Sequence, residues 1–116
     1  MGEYPAEARY DKLVRDRIPE IIKADGLSVE IRTLESDELV SILKAKAVEE
    51  AKELETSEEI EDIKKEMADL IEVIISLGDK LQIDMDEVEQ IRQDRRTKRG
   101  GFDNGVFLER TYEDKK

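Results

Sequence analysis

Cysteine, histidine and tryptophan are all missing from this chain of 116 residues. Without cysteine there are no disulfides and no thiolate metal ligands, which fits a reducing cytoplasm. Without histidine there is no imidazole to bind a metal or to act as base in a Ser-His or Cys-His pair. Any metal site must then be built from oxygens, a donor set that suits Mg²⁺ or Mn²⁺ rather than Zn²⁺ or copper. Aromatic residues make up only 4% of the chain, so no base-stacking platform is evident. The opening MGEYPAEARY lacks the apolar stretch of a signal peptide. No run approaches the roughly 18 apolar residues of a membrane span. The densest, Ile71 to Leu77, is interrupted by Glu72 and Ser76. The expectation is a cytoplasmic protein without a membrane partner.

Charge is plentiful and one-sided. Net charge is −11, which argues against binding of a nucleic acid polymer, whose partners present a basic surface. The balance is uneven along the chain. Arg92, Arg95, Arg96, Lys98 and Arg99 against Asp94 put residues 92–99 at +4, leaving −15 for the rest. The length suits a single domain with a small core, so burial between subunits is expected. Residues 1–9 read as a flexible tail and residues 10–116 as the domain.

Periodicity predicts a mostly α protein. Leu13, Val14, Ile18, Ile21 and Ile22 form a short amphipathic segment, in which Pro19 marks a first helical turn or a break. Asp25-Gly26 is a turn signal. Val29, Ile31 and Thr33 alternate with Glu30 and Arg32, which predicts a short strand. A helix follows over about 37–55, capped by Ser36 or Asp37. Thr56-Ser57-Glu58-Glu59 matches a capping box for a second helix over about 58–81. Asp84 and Glu87 match another for a third, over about 85–98, which Gly100-Gly101 would stop. Gly105 to Tyr112 reads as a second extended strand. The predicted fold is a helical hairpin plus a third helix in a four-helix-bundle-like core completed by dimerisation, with one or two short peripheral strands.

The acidic residues sit where apolar ones belong. Glu50 and Glu53 are three apart in one predicted helix, and Glu66 and Asp69 are three apart in the next. Residues at that spacing are neighbours on a helix surface. Leu39, Leu43, Ala47 and Leu54 share the stripe of Glu50, with Glu53 at its edge; Ile63, Leu70, Val73 and Leu77 surround Glu66, with Asp69 at the edge. A carboxylate inside an apolar stripe costs several kcal/mol unless it is paired or holds a metal. An antiparallel hairpin would bring four carboxylates together. The competing structural explanation is a buried ion-pair network with Lys46 or Lys80. Acidic Glu-x-x-Glu pairs also arise by chance in a chain with 31 acidic residues, but two pairs on two adjacent apolar stripes weigh against a solvated face.

The second helix is apolar on a further face, through Met67, Ile71, Ile74 and Ile75. A helix apolar most of the way round must be covered most of the way round, which predicts a homodimer or homotetramer. The basic run at the end of the third helix has a plain explanation in the helix dipole. Against it stand the number of charges and the suitability of arginine forks for phosphate oxygens. The segment Lys12-Leu13-Val14-Arg15-Asp16-Arg17-Ile18-Pro19 interleaves basic and apolar residues and by itself implies no function.

Glu49-Glu50-Ala51-Lys52-Glu53, followed after twelve residues by Glu66-Met67-Ala68-Asp69, resembles the E-E-x-x-E … E-x-x-D signature of the all-α nucleoside triphosphate pyrophosphohydrolases. That superfamily includes MazG, the dimeric dUTPases and phosphoribosyl-ATP pyrophosphohydrolase. Tyr10 to Ile22 and Lys98-Arg99-Gly100-Gly101-Phe102 resemble its MazG-like, phosphoribosyl-ATP pyrophosphohydrolase-like branch. The resemblance covers about residues 10–110. It implies Mg²⁺-dependent cleavage (Mn²⁺ as the substitute) of a nucleoside triphosphate to monophosphate and pyrophosphate. By position, Glu50, Glu53, Glu66 and Asp69 would be the metal ligands. Glu53 or Glu49 would take the proton of the attacking water. Arg95, Arg96, Lys98 and Arg99 would grip the outer phosphates, with Lys12 and Arg15 closing the site. Two alternatives stay open: hydrolysis of phosphoribosyl-ATP in histidine biosynthesis, and a non-catalytic helical oligomer that binds a metal or a protein partner.

Overall fold

Four helices carry the regular structure of this chain in the computed structural model, which describes residues 3–115. They are α1 (Ile18–Ala24), α2 (Ser36–Thr56), α3 (Ile60–Lys80) and α4 (Met85–Arg99). The chain divides into two compact units, one ending at Gln82 and the other spanning Ile83 onward. The expected tail of residues 1–9 begins outside the described residues; residues 3–9 have no regular structure.

The first unit is built on a hairpin. α2 and α3 each have 21 residues, about 30 Å at 1.5 Å per residue, and they pack along their length. Only Ser57, Glu58 and Glu59 join them, so the two helices run antiparallel. Their facing stripes are the ones the periodicity marks. Leu43 and Val73 are buried, and Leu39, Ala47, Leu54, Ile63, Leu70 and Leu77 are half-buried around them. α1 begins at Ile18 with Pro19 in its first turn, where a missing N–H costs nothing. Of the two readings of Pro19, a first helical turn or a break, the first turn is the one that forms.

Two capping expectations are corrected. Thr56 and Ser57 do not cap α3. Their hydroxyls donate back to α2, Thr56 Oγ1 to the carbonyl of Glu53 at 3.2 Å and Ser57 Oγ to the same carbonyl at 2.9 Å. They satisfy carbonyls at the end of one helix rather than N–H groups at the start of the next. Nor does Ser36 or Asp37 cap α2 from outside: both lie inside it, and Glu35 holds the cap position without a side-chain bond. Asp84 does cap α4, its Oδ1 accepting from the Asp86 N–H at 2.9 Å, but no bond from the Glu87 side chain back to Asp84 completes the expected box.

Both predicted strands are also corrected, since no strand forms among the described residues. Residues 29–33 have no regular structure: a strand needs a second backbone to bond with, and none is supplied. Arg32 instead reaches Glu38 in α2 with two bonds of 3.0 Å. Residues 105–112 likewise lack a paired strand, and Val106, Phe107 and Leu108 are strongly exposed.

The second unit is α4 and the segment after it. Gly100 ends α4 with φ +82°, a left-handed conformation that glycine adopts at little cost. Its N–H donates to the carbonyl of Arg96 at 2.8 Å.

Candidate metal centre

Helix geometry gathers the carboxylates of the first unit. Glu49, Glu50 and Glu53 lie one turn apart on α2, and each offers an oxygen within 4.8 Å of the others. Glu50, Glu66 and Asp69 satisfy the same condition across the hairpin. Glu50 belongs to both groups. The four expected ligands and the expected alternative base Glu49 thus fall into two overlapping groups that share Glu50, with Glu50 buried in the apolar seam and Glu53 at its solvent edge.

Burial distinguishes the members. Glu50 is only 7% exposed, Glu49, Glu66 and Asp69 are half-buried, and Glu53 is open to solvent. Oε2 of Glu50 and Oε2 of Glu66 are both buried without a hydrogen-bond partner. A buried carboxylate oxygen left without a donor is costly, so these two atoms mark a place where a cation fits.

The charges around them set the electrostatics. Burial pushes the Glu50 carboxyl up to about 7, and its contact with Glu53 and the charge of Asp69 add to the rise. Lys46 opposes it, with Nζ 3.7 Å from Glu50 Oε1 and 3.3 Å from Glu49 Oε1. Burial also raises the Glu66 carboxyl, with Glu53 and Asp69 reinforcing it. Two carboxylates that resist ionisation beside three more are under-neutralised, and a divalent cation would relieve that. Oxygen donors at this density suit Mg²⁺ or Mn²⁺.

Two cations enter the cluster. Lys46, named in the competing structural explanation, does reach two of the acids, because an i, i+3 and i, i+4 reach on α2 suffices. It coexists with the orphaned oxygens and does not satisfy them. Arg15 donates from Nη2 to Asp69 Oδ1 at 2.8 Å. Nothing in the spacing of the chain foretells that pairing, which spans 54 residues. Lys12 is exposed in the same N-terminal segment.

The expected phosphate-binding arginines form a feature of the second unit. Arg92, Arg95, Arg96 and Arg99 line an open groove of about 590 Å³ with Gly100, Gly101 and Phe102. Arg92 is held by Glu89 through two bonds, and Arg96 reaches Asp103 at 3.1 Å. The Arg96 guanidinium lies so close over Gly101 that a Cβ there would overlap it. That guanidinium is the far end of a flexible side chain and can shift, so the contact alone does not require glycine at 101. Lys98 is exposed on the same helix.

The fold and site define an all-helical chain with a carboxylate cluster set into a helix hairpin. No family model matches the chain, and no solved structure matches it. A protein of Mycolicibacterium smegmatis, described as uncharacterized, is 51% identical over 47 residues, or 40% of this chain and 48% of that protein. The matched region thus spans about half the length of that relative.

Proposed function

We propose that this chain is a Mg²⁺-dependent nucleotide pyrophosphohydrolase that cleaves a standard or modified nucleoside triphosphate to the monophosphate and pyrophosphate. The observation that carries the reading is the pair of orphaned, buried oxygens of Glu50 and Glu66 inside a five-carboxylate cluster. A well-formed structural network is expected to satisfy its buried members, which favours the metal reading. Glu50, Glu53, Glu66 and Asp69 would hold the cation. When bound, Mg²⁺ supplies neutralisation of the triphosphate and polarisation at phosphorus. Glu53, exposed at the rim, would accept the proton of an attacking water, with Glu49 as the alternative. The acidic cluster repels an anionic substrate, so basic side chains must grip its phosphates, a role for Arg95, Arg96, Lys98 and Arg99. The reading includes a cytoplasmic setting and assembly through α3 into a homodimer or larger form.

The test is a pyrophosphate-release screen over standard and modified nucleoside triphosphates and phosphoribosyl-ATP, with Mg²⁺ or with EDTA. Release that requires Mg²⁺ and disappears in Glu50→Gln is the expected result. Mg²⁺ binding without release from any nucleotide would instead favour the non-catalytic metal-binding oligomer. Release from phosphoribosyl-ATP alone would narrow the activity to histidine biosynthesis.

A further inference from the structure

Nine ion pairs join described residues, and in eight of them the partners are at most seven positions apart. The exception is Arg15 with Asp69. Both side chains are substantially exposed, at 60% and 42%, and such a pair adds little to stability. Its place is more informative than its strength, because Asp69 is one of the acids that meet Glu50 and Glu66. Resting on the metal-centre reading above, we infer that Arg15 is a positioning residue for that centre: it holds one oxygen of Asp69 so that the other is turned to the cation.

The geometry of both partners supports this. Arg15 engages Oδ1 through a single nitrogen, Nη2, and leaves Oδ2 to a second partner. A carboxylate bound on one side by a charged donor loses rotational freedom about its side chain, and such outer partners orient metal ligands. Arg15 is itself anchored. Its carbonyl accepts from the Ile18 N–H at 3.0 Å, in the turn that opens α1, and Leu13 and Ile18 on either side are half-buried. The guanidinium thus reaches α3 from a backbone tied to the first turn of α1, and the segment from Lys12 to Pro19 acquires a role that its sequence alone does not reveal. Glu50 and Glu66 have no comparable arginine among the described residues. Glu50 is held in place by packing, whereas Asp69, at the half-open edge of the seam, is not.

Calorimetric titration with Mg²⁺ alone tests the inference. Arg15→Gln is expected to weaken Mg²⁺ binding about ten-fold, the lower end of the range for loss of a ligand's outer partner. Arg15→Lys, which keeps a charged donor, is expected to recover part of it. The control is Arg17→Gln, which removes the same charge two residues away, where the guanidinium pairs locally with Glu20 at 3.4 Å. It is expected to bind Mg²⁺ like the wild type, and all three variants are expected to melt close to it. Unchanged or tighter binding in Arg15→Gln overturns the inference while leaving the metal centre standing, as does equal weakening in Arg17→Gln. No Mg²⁺ binding by the wild type overturns both.

Discussion

Glu50 concentrates the chemistry of the first unit in one carboxyl group. The apolar residues spaced around it in the sequence already imply its burial, and the hairpin supplies it by setting α2 against α3. What periodicity does not carry is the neutralisation: Lys46 reaches Glu50 from within α2, and Arg15 reaches Asp69 from 54 residues away. Helical spacing encodes the first kind of contact and no local pattern encodes the second. The carboxyl of Glu50 rises from an ordinary 4.5 to about 7. A group that holds its proton more tightly when folded makes stability fall as pH rises between its unfolded and folded values. The metal-free protein should therefore be more stable at pH 5 than at pH 8, with the loss complete a little above pH 7. The full difference is of the order of 3 kcal/mol, equivalent to several degrees in Tm for a chain of this size. Melting curves in EDTA from pH 5 to 8 check this. Glu50→Gln should flatten the profile, raise Tm at pH 8 and abolish Mg²⁺ binding. Saturating Mg²⁺ should lift the wild-type Tm at pH 8, because the cation binds the charged form. If the wild-type profile is flat in EDTA, Glu50 is adequately neutralised by Lys46 and the cluster is a structural network.

At the scale of elements, helix type and extent were legible because α2, α3 and α4 each repeat an apolar or capping pattern over several turns. The strands and two of the caps were not. Alternation in residues 29–33 and 105–112 describes a side-chain pattern, while a strand exists only if another backbone pairs with it. Thr56 and Ser57 can bond in either direction from a junction, and a junction of three residues lets them fold back on α2. α4 presents a choice between two roles for its arginines. Arg92 is already neutralised by Glu89, whose carboxyl it pulls down to about 2 with help from Gln93. Arg95 and Arg99 line the groove beside Phe102. If they grip phosphate, Arg95→Ala and Arg99→Ala should each weaken apparent substrate affinity about ten- to hundred-fold, since a charge-assisted bond is worth about 1.5–3 kcal/mol. Mg²⁺ binding should be unaffected. If they only complement the helix dipole, Tm should fall slightly, by about 0.3–1 kcal/mol of stability, with kcat/KM at the wild-type level. Steady-state kinetics and melting curves on the same variants separate these outcomes.

For the molecule as a whole, the question is what covers the rest of α3. Its inner stripe is spent on α2 and on the carboxylates. On another face, Ile60, Met67, Ile71, Ile74 and Ile75 are 43–66% exposed. Falling within about 100° of one another on the helix, they form one continuous apolar stripe. An exposed apolar stripe of this extent is the kind of surface that marks an interaction site. The hairpin, for its part, buries only Leu43 and Val73 among its apolar side chains to the standard of a core. Most of the surface that could stabilise it therefore remains available. A second copy laying the same stripe against this one would make a self-complementary, two-fold contact. Removing the half-exposed remainder of these side chains from water would contribute roughly 1 kcal/mol each. The expectation is that the wild-type chain sediments as a dimer or tetramer at micromolar concentration. Ile71→Glu with Ile74→Glu should shift it toward monomer and lower its stability by several kcal/mol, since two charges would have to be buried at the contact. Analytical ultracentrifugation alongside urea unfolding reads both effects. A wild-type chain that sediments as a well-folded monomer, with melting independent of concentration, would show that α3 needs no second copy. The metal centre, drawn from residues of one hairpin, would survive that result unchanged.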